Sequence, residues 1–210
     1  MTVPGVRGIR EKLPGESGAM FQLSLVLLVL SVTSSPNTQP TTYTVAADRS
    51  QVMFEAKYPL GDFTGITDQV TGEFRINPEN VTQGVTGSVT VNPAALKTGI
   101  GARDRDLRKA LDTDTHREIR FRVEEVQASF PSLAERADIT LRISGVIRIR
   151  GIDRPMAWTG RARIEEGKLW VRGEAELKMS DFGIPPPRKF FLAVSDSVRV
   201  SFDLRLAPKE

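Results

Sequence analysis

Few residues in this 210-residue chain have the chemistry for catalysis. It contains no cysteine and a single histidine, His116. The first absence excludes disulfides, a thiol nucleophile, zinc–thiolate sites, Cys-ligated iron–sulfur clusters and a bacterial lipoprotein anchor. The second excludes any multi-histidine metal site, leaving only a site built from carboxylates. His116 stands in Asp114-Thr115-His116-Arg117, and a catalytic triad would need it beside a serine and a carboxylate. With no nucleophile-elbow sequence present, it reads as a surface histidine at a helix end. Asp104 and Asp106 are the obvious acid–base pair, yet two residues apart on a helix they point in different directions. Capping and ion pairing at the helix start is their expected work. Asp181-Phe182-Gly183 matches a kinase triplet, but the phosphate loop, the catalytic His-Arg-Asp and the strand lysine are all missing. Asn80-Val81-Thr82 is a glycosylation sequon that carries no meaning in a bacterium. With 29 basic residues against 26 acidic ones, the charge is too balanced for a nucleic-acid surface. These residue types argue against an enzyme.

The elements that would hold a site begin after an unusual N-terminus. Residues 1–19 carry Arg7, Arg10 and Lys12 against Glu11 and Glu16, and Met20 to Val32 is a run of 13 residues without charge. A membrane span needs about 20 apolar residues, so the run fits a signal-peptide core better than a transmembrane helix. Thr33, Ser34 and Ser35 supply small residues for cleavage. Residues 1–35 are therefore read as a signal peptide or short N-terminal anchor, with residues 36–42 as a polar spacer. That places the mature protein in the periplasm or outside the cell. Three basic and two acidic residues leave with the segment, so the formal charge falls from +3 to +2.

From Tyr43 to about Pro208 the dominant signal is period-two alternation, the mark of strands with one buried face. Leu169, Val171, Gly173, Ala175, Leu177 and Met179 face one way, with Lys168, Trp170, Arg172, Glu174, Glu176 and Lys178 opposite. Val198, Val200, Phe202, Leu204 and Leu206 alternate with Arg199, Ser201, Asp203 and Arg205. Met156, Trp158, Gly160, Ala162 and Ile164 continue the pattern, as do Ile139 to Ile149. Further strands are expected over 52–58, 71–76, 85–91 and 119–123. Turns are expected at 77–80, 83–84, 151–155 and 165–167. Only Arg103 to Asp114 has helical spacing, with Leu107, Ala110 and Leu111 on one face. Eight to ten strands without a βαβ rhythm predict an all-β fold, an antiparallel barrel or sandwich. Gly72, Gly87, Gly160, Gly173, Ala162 and Ala175 are small and inward. They either leave room for an elongated ligand in an eight-stranded barrel or mark corner kinks in a packed sandwich.

In their order along the chain these motifs resemble the YceI-like family of polyisoprenoid-binding periplasmic proteins. The likeness rests on Tyr43 to Phe54, Phe63-Thr64-Gly65 with Gly72-Glu73-Phe74, Leu96-Lys97-Thr98-Gly99, and Arg103 to Arg108. It continues through Ile119-Arg120-Phe121, Gly145 to Pro155, Ser180 to Ile184 and Val198 to Phe202. Arg49 and Tyr58 stand where the family often has histidines, His116-Arg117 replaces a usual Tyr-Pro, and Pro185-Pro186-Pro187 is an addition. The resemblance implies a lipocalin-like antiparallel barrel of about eight strands with one short helix over residues 43–208. It also implies binding and carriage or storage of an isoprenoid lipid, an isoprenoid quinone or a polyprenyl phosphate. In that reading Phe54, Phe74, Phe121, Trp158, Phe182 and Phe202 line the cavity, and Arg49, Arg103 or Lys189 meets the head group. No cofactor beyond the lipid, no metal and no nucleic acid is expected. Membrane contact is transient or through an uncleaved N-terminus, and a homodimer stays open. The alternative is a barrel filled by its own side chains, acting as a stress-related interaction module.

Overall fold

A computed structural model describes residues 39–133, 138–189 and 192–209, with the side chain of Lys189 left out. The chain divides into Met1–Pro36 and Asn37–Glu210. The expected signal segment, residues 1–35, lies outside the described residues.

The second unit is a closed antiparallel β-barrel. Its strands are β1 (Thr41–Val45), β2 (Gln51–Ala56), β3 (Phe63–Thr67), β4 (Val70–Ile76), β5 (Thr86–Val91), β6 (Ile119–Ala128), β7 (Ile139–Ile149), β8 (Ile152–Glu165), β9 (Lys168–Lys178), β10 (Arg188–Lys189), β11 (Leu192–Ala193) and β12 (Ser197–Pro208). One helix, α1, spans Gly101–Leu111. The sheet runs β1-β4-β5-β6-β7-β8-β9-β12, and β12 closes it by pairing back onto β1. β1 and β2 act as one strand broken at a 3-10 turn over Ala47–Arg49, because β12 pairs with β2 through Val198 to Asp203 and then with β1. β3 and β4 form a second broken strand, which leaves eight positions around the ring. Closure removes the sheet edges that an open sandwich would expose.

Local chemistry explains most boundaries. Arg150-Gly151 and Glu166-Gly167 have positive φ at both residues, the backbone that two-residue hairpins between twisted strands require. The turn expected over 151–155 therefore shrinks to two residues, and Pro155 falls inside β8 opposite Val146. It is tolerated there because β9 pairs with β8 only from Thr159 onward, so the missing N–H faces an unpaired edge. The family likeness implies that Phe63–Gly65 and Gly72–Phe74 form a hairpin, and the pairing corrects this. β3 pairs with β2 and leads into β4 as the same broken strand. α1 begins before the expected Arg103 and ends at Asp112, which adopts the left-handed conformation.

Parity predicts the two faces well, with two exceptions. Ile164 is expected inside but is exposed near the β8–β9 turn. Trp170 points outward yet is only 6% exposed, because arginines cover it. The guanidinium carbons of Arg163, Arg205 and Arg172 lie 3.7, 4.6 and 4.9 Å from its ring, and its indole N–H donates to Asp203.

Candidate functional site: an apolar cavity with one polar end

The inward faces do not fill the barrel. They enclose a cavity of about 610 Å³, within the usual range for small-molecule sites. At about 30 Å³ per molecule it would take roughly twenty waters. Nearly all of its lining is aliphatic or aromatic, so such waters would find few hydrogen-bond partners. The space suits an apolar occupant.

Phe54, Phe74, Phe121, Trp158, Phe182 and Phe202 all stand in the lining. Phe121 and Phe202 flank Trp158 edge-on, with centroids 5.8 and 5.2 Å away, the geometry that aromatic quadrupoles favour. The indole N–H of Trp158 is buried and has no hydrogen-bond partner. Several rings are seated by small residues on the next strand. Phe54 opposes Gly65, Phe74 opposes Gly87 and Phe202 opposes Gly173 in direct cross-strand pairs. A Cβ at Gly65 would stand 2.2 Å from the Phe54 ring, and one at Gly173 would stand 2.8 Å from Phe202. Gly65, Gly87 and Gly173 are thus seats for neighbouring rings rather than the source of the empty volume, while a Cβ at Gly72 would meet the Ser88 carbonyl at 2.6 Å. Gly160 also faces backbone: a Cβ there meets the Arg172 carbonyl at 2.2 Å.

The cavity is closed at one end and polar at the other. At the closed end the Val81 amide donates to the Pro131 carbonyl and the Leu133 amide to the Pro78 carbonyl, both at 2.8 Å. Val81 and Leu133 are buried beneath them. At the opposite end stand Tyr58, Arg103, Asp106 and Arg188, the only ionisable side chains among the described lining residues. Tyr58 follows β2, whose last residue Ala56 pairs with Phe63 at the start of β3. The guanidinium of Arg103 lies 4.3 Å above the Phe63 ring. The Ser195 amide donates to the Lys57 carbonyl at 2.8 Å, tying the segment after β11, and with it the β10–β11 hairpin, to the same rim. α1 is held over this end through Asp104, which accepts from the Thr98 hydroxyl at 2.6 Å and the Thr98 amide at 2.8 Å. Those bonds hold its carboxyl below the usual carboxylate range. Asp104 is therefore a brace, whereas Asp106, on the cavity side of the helix, faces the mouth.

A family model for the YceI-like domain matches residues 43–206. The chain belongs to the YceI-like family. Among curated proteins, none matches the sequence. Solved structures share the fold at low identity. BcnA of Burkholderia cenocepacia has 15% identity and a TM-score of 0.66, over 77% of this chain and 98% of its own. A polyisoprenoid binding domain from Saccharophagus degradans, implicated in plant cell wall breakdown, has 17% identity and a TM-score of 0.62, over 80% and 99%. A Campylobacter jejuni YceI protein has 14% identity and a TM-score of 0.56, over 70% and 85%.

Within this YceI-like domain the head-group candidates separate. Arg103 is in the mouth. Arg49 is outside the cavity lining: it sits in the 3-10 turn between β1 and β2, its side chain 60% exposed and 3.8 Å from Asp48. The family resemblance made it a candidate, but the break between β1 and β2 lies along the wall, beside the middle of β12. Lys189 belongs to β10 at the mouth, and its side chain lies outside the described residues. Sequence reading missed Tyr58, Asp106 and Arg188 as lining residues. Asp106 was legible in part, since Arg103, Asp106, Leu107 and Ala110 share one helical face. His116 packs near Gly151, and its Nε2 is 3.8 Å from the Asp112 carboxylate, away from the cavity. No group of three or more metal-ligating side chains stands together among the described residues.

Proposed function

We propose that this YceI-like domain binds an isoprenoid lipid, with the tail in the barrel and the head group at the mouth. It carries or stores that lipid outside the cytoplasm and does no chemistry on it. The observation that carries the reading is the 610 Å³ apolar cavity whose ionisable lining is confined to one end. An amphiphile with a long tail and a compact polar head has that polarity pattern. The volume takes at least about twenty chain carbons, or four five-carbon units, if a methylene needs about the room of a water. Burial of about 500 Å² of tail at ~25 cal/mol/Å² contributes ~12 kcal/mol gross. Association and ordering remove about half of that, and the remaining ~6 kcal/mol corresponds to a dissociation constant of tens of micromolar from the tail alone. A quinone carbonyl or a phosphate would take hydrogen bonds from Arg103, Arg188 and the Tyr58 hydroxyl. An interior filled by its own side chains, as the interaction-module reading requires, would leave no space of this size.

The test is lipid extraction and mass spectrometry on protein purified without detergent from an exporting bacterium. A stoichiometric isoprenoid is expected, and it should be lost in a folded Phe121→Ala/Trp158→Ala variant. Protein that is empty, and stays empty after incubation with isoprenoid quinones and polyprenyl phosphates, overturns the reading.

A further inference from the structure

We propose that the rim of the polar end docks on an anionic lipid bilayer, from which the cavity is loaded. The inference rests on the isoprenoid reading of the cavity, because a tail of that kind is held in membranes and not in water.

Exposure points to the surface. Among the described residues the two most exposed large apolar side chains are Leu60 at 76% and Ile100 at 50%. Both belong to the rim. Leu60 is in the turn that follows β2, closed by the Gly61 amide donating to the Tyr58 carbonyl at 2.9 Å. Ile100 immediately precedes α1 and lines the cavity itself, so solvent-exposed apolar surface runs without a break into the apolar interior. The tips carrying them stand clear, since a Cβ at Gly61, Gly99 or Gly101 would meet nothing within 4 Å.

Charge names the occupant. Beside these tips in the chain, or in the lining of the mouth, stand the cations Lys57, Arg103, Arg105 and Arg188, against the carboxylates Asp62, Asp104 and Asp106, of which Asp104 is buried and turned onto Thr98. None of the four cations is in an ion pair with a described residue. On the outer wall some arginines pair with acids, as Arg148 does with Asp153 at 2.6 Å and Arg120 with Glu118 at 3.0 Å, while others such as Arg142 and Arg199 stand alternating with apolar positions along their strands. Apolar tips within a collar of unpaired cations match the interface of a bilayer bearing anionic head groups. A second copy on the same rim would set like charges against each other.

The experiment is sedimentation of the full chain with vesicles of phosphatidylcholine alone or mixed with phosphatidylglycerol. Binding is expected to the mixed vesicles, to weaken with added salt and to be absent from the neutral ones. Lys57→Ala should lower the partition about fivefold, the usual share of one cation near such a surface. Leu60→Asp, at a residue outside the cavity lining, should lower it by about tenfold. Unchanged melting temperature and unchanged binding of an isoprenoid quinone added directly to this variant separate lost docking from lost folding or an altered cavity. Equal sedimentation with both vesicle types, or a Leu60→Asp variant that binds like the parent, overturns the proposal. Wild-type protein that retains isoprenoid but ignores anionic vesicles refutes docking and leaves the carrier reading standing. Protein that docks but never holds a lipid refutes the carrier reading.

Discussion

Gly160 and Gly173 face each other across β8 and β9, and the same substitution at each should have very different consequences. A Cβ at Gly160 meets backbone, 2.2 Å from the Arg172 carbonyl and 3.0 Å from the Gly173 Cα. Relief would need the two strands to separate. A Cβ at Gly173 meets the far edge of the Phe202 ring at 2.8 and 3.0 Å and the Thr159 carbonyl at 3.2 Å; the ring borders open volume into which it can turn, and the carbonyl needs to give by only a few tenths of an ångström. Overpacking costs about 1–3 kcal/mol, while replacing a strand glycine by alanine recovers about 0.5–1 kcal/mol of backbone entropy. Gly160→Ala, at the top of that range, should therefore lose about 2 kcal/mol, and Gly173→Ala should stay within about 1 kcal/mol of the parent. For a domain of this size that is a fall in Tm of about 4–8 °C against less than about 4 °C. Circular-dichroism melts measure both. The displaced Phe202 ring should occupy ligand space, so Gly173→Ala should retain less lipid, and adding Phe202→Leu should restore it. If Gly173→Ala is as destabilising as Gly160→Ala and its lipid content is unchanged, the ring has no room to turn and the cavity geometry is wrong.

Three further outcomes follow from the same structure. The carboxyls of Asp104, Asp153, Glu165 and Asp196 are held low, chiefly by side-chain hydrogen bonds from Thr98, Arg148, Arg163 and Ser180. Groups with folded pKa values below their unfolded ones stabilise at pH above the unfolded value, near 4, and lose that contribution as pH falls through the folded value. Melting temperature should thus hold to about pH 4 and drop below it, and Asp104→Asn should flatten the acid limb. Trp170→Ala should cost about 3 kcal/mol in urea denaturation because the ring is buried, whereas Arg172→Ala should cost under about 1 kcal/mol. In a Trp170→Phe background Trp158 is the one remaining tryptophan. Its emission should then be quenched saturably by an isoprenoid quinone and far less by a quinone lacking the tail.

The relation of sequence to structure divides along the same physical lines. Period-two alternation is a local property of strands, so the inward set from Leu169 to Leu177 and from Val198 to Leu206 was legible residue by residue. The same alternation placed Phe121, Trp158 and Phe202 on inward faces. Turns built on positive φ were legible only in part, because Arg150 is not a residue that advertises the left-handed conformation it adopts. Pro155 looked like a turn residue, and only the register of β8, with β9 absent beside it, made it a strand residue. Trp170 shows the converse limit: parity put it outside, correctly, but its burial depends on Arg163 and Arg205, brought over the ring by neighbouring strands, together with Arg172 two residues along its own strand. The glycines were read as small inward residues, and only cross-strand pairing revealed which ones seat a phenylalanine ring. The mouth was the least legible part. Tyr58, Arg103, Asp106 and Arg188 come from a loop, a helix and a short hairpin strand distant in sequence. No local pattern links such residues, whereas barrel closure brings them to one rim. By itself, then, the sequence determined the strand faces, the helix and the family. Tertiary structure decided the size of the cavity, which end is polar and which arginine stands there, since volume and convergence are properties of packing between strands.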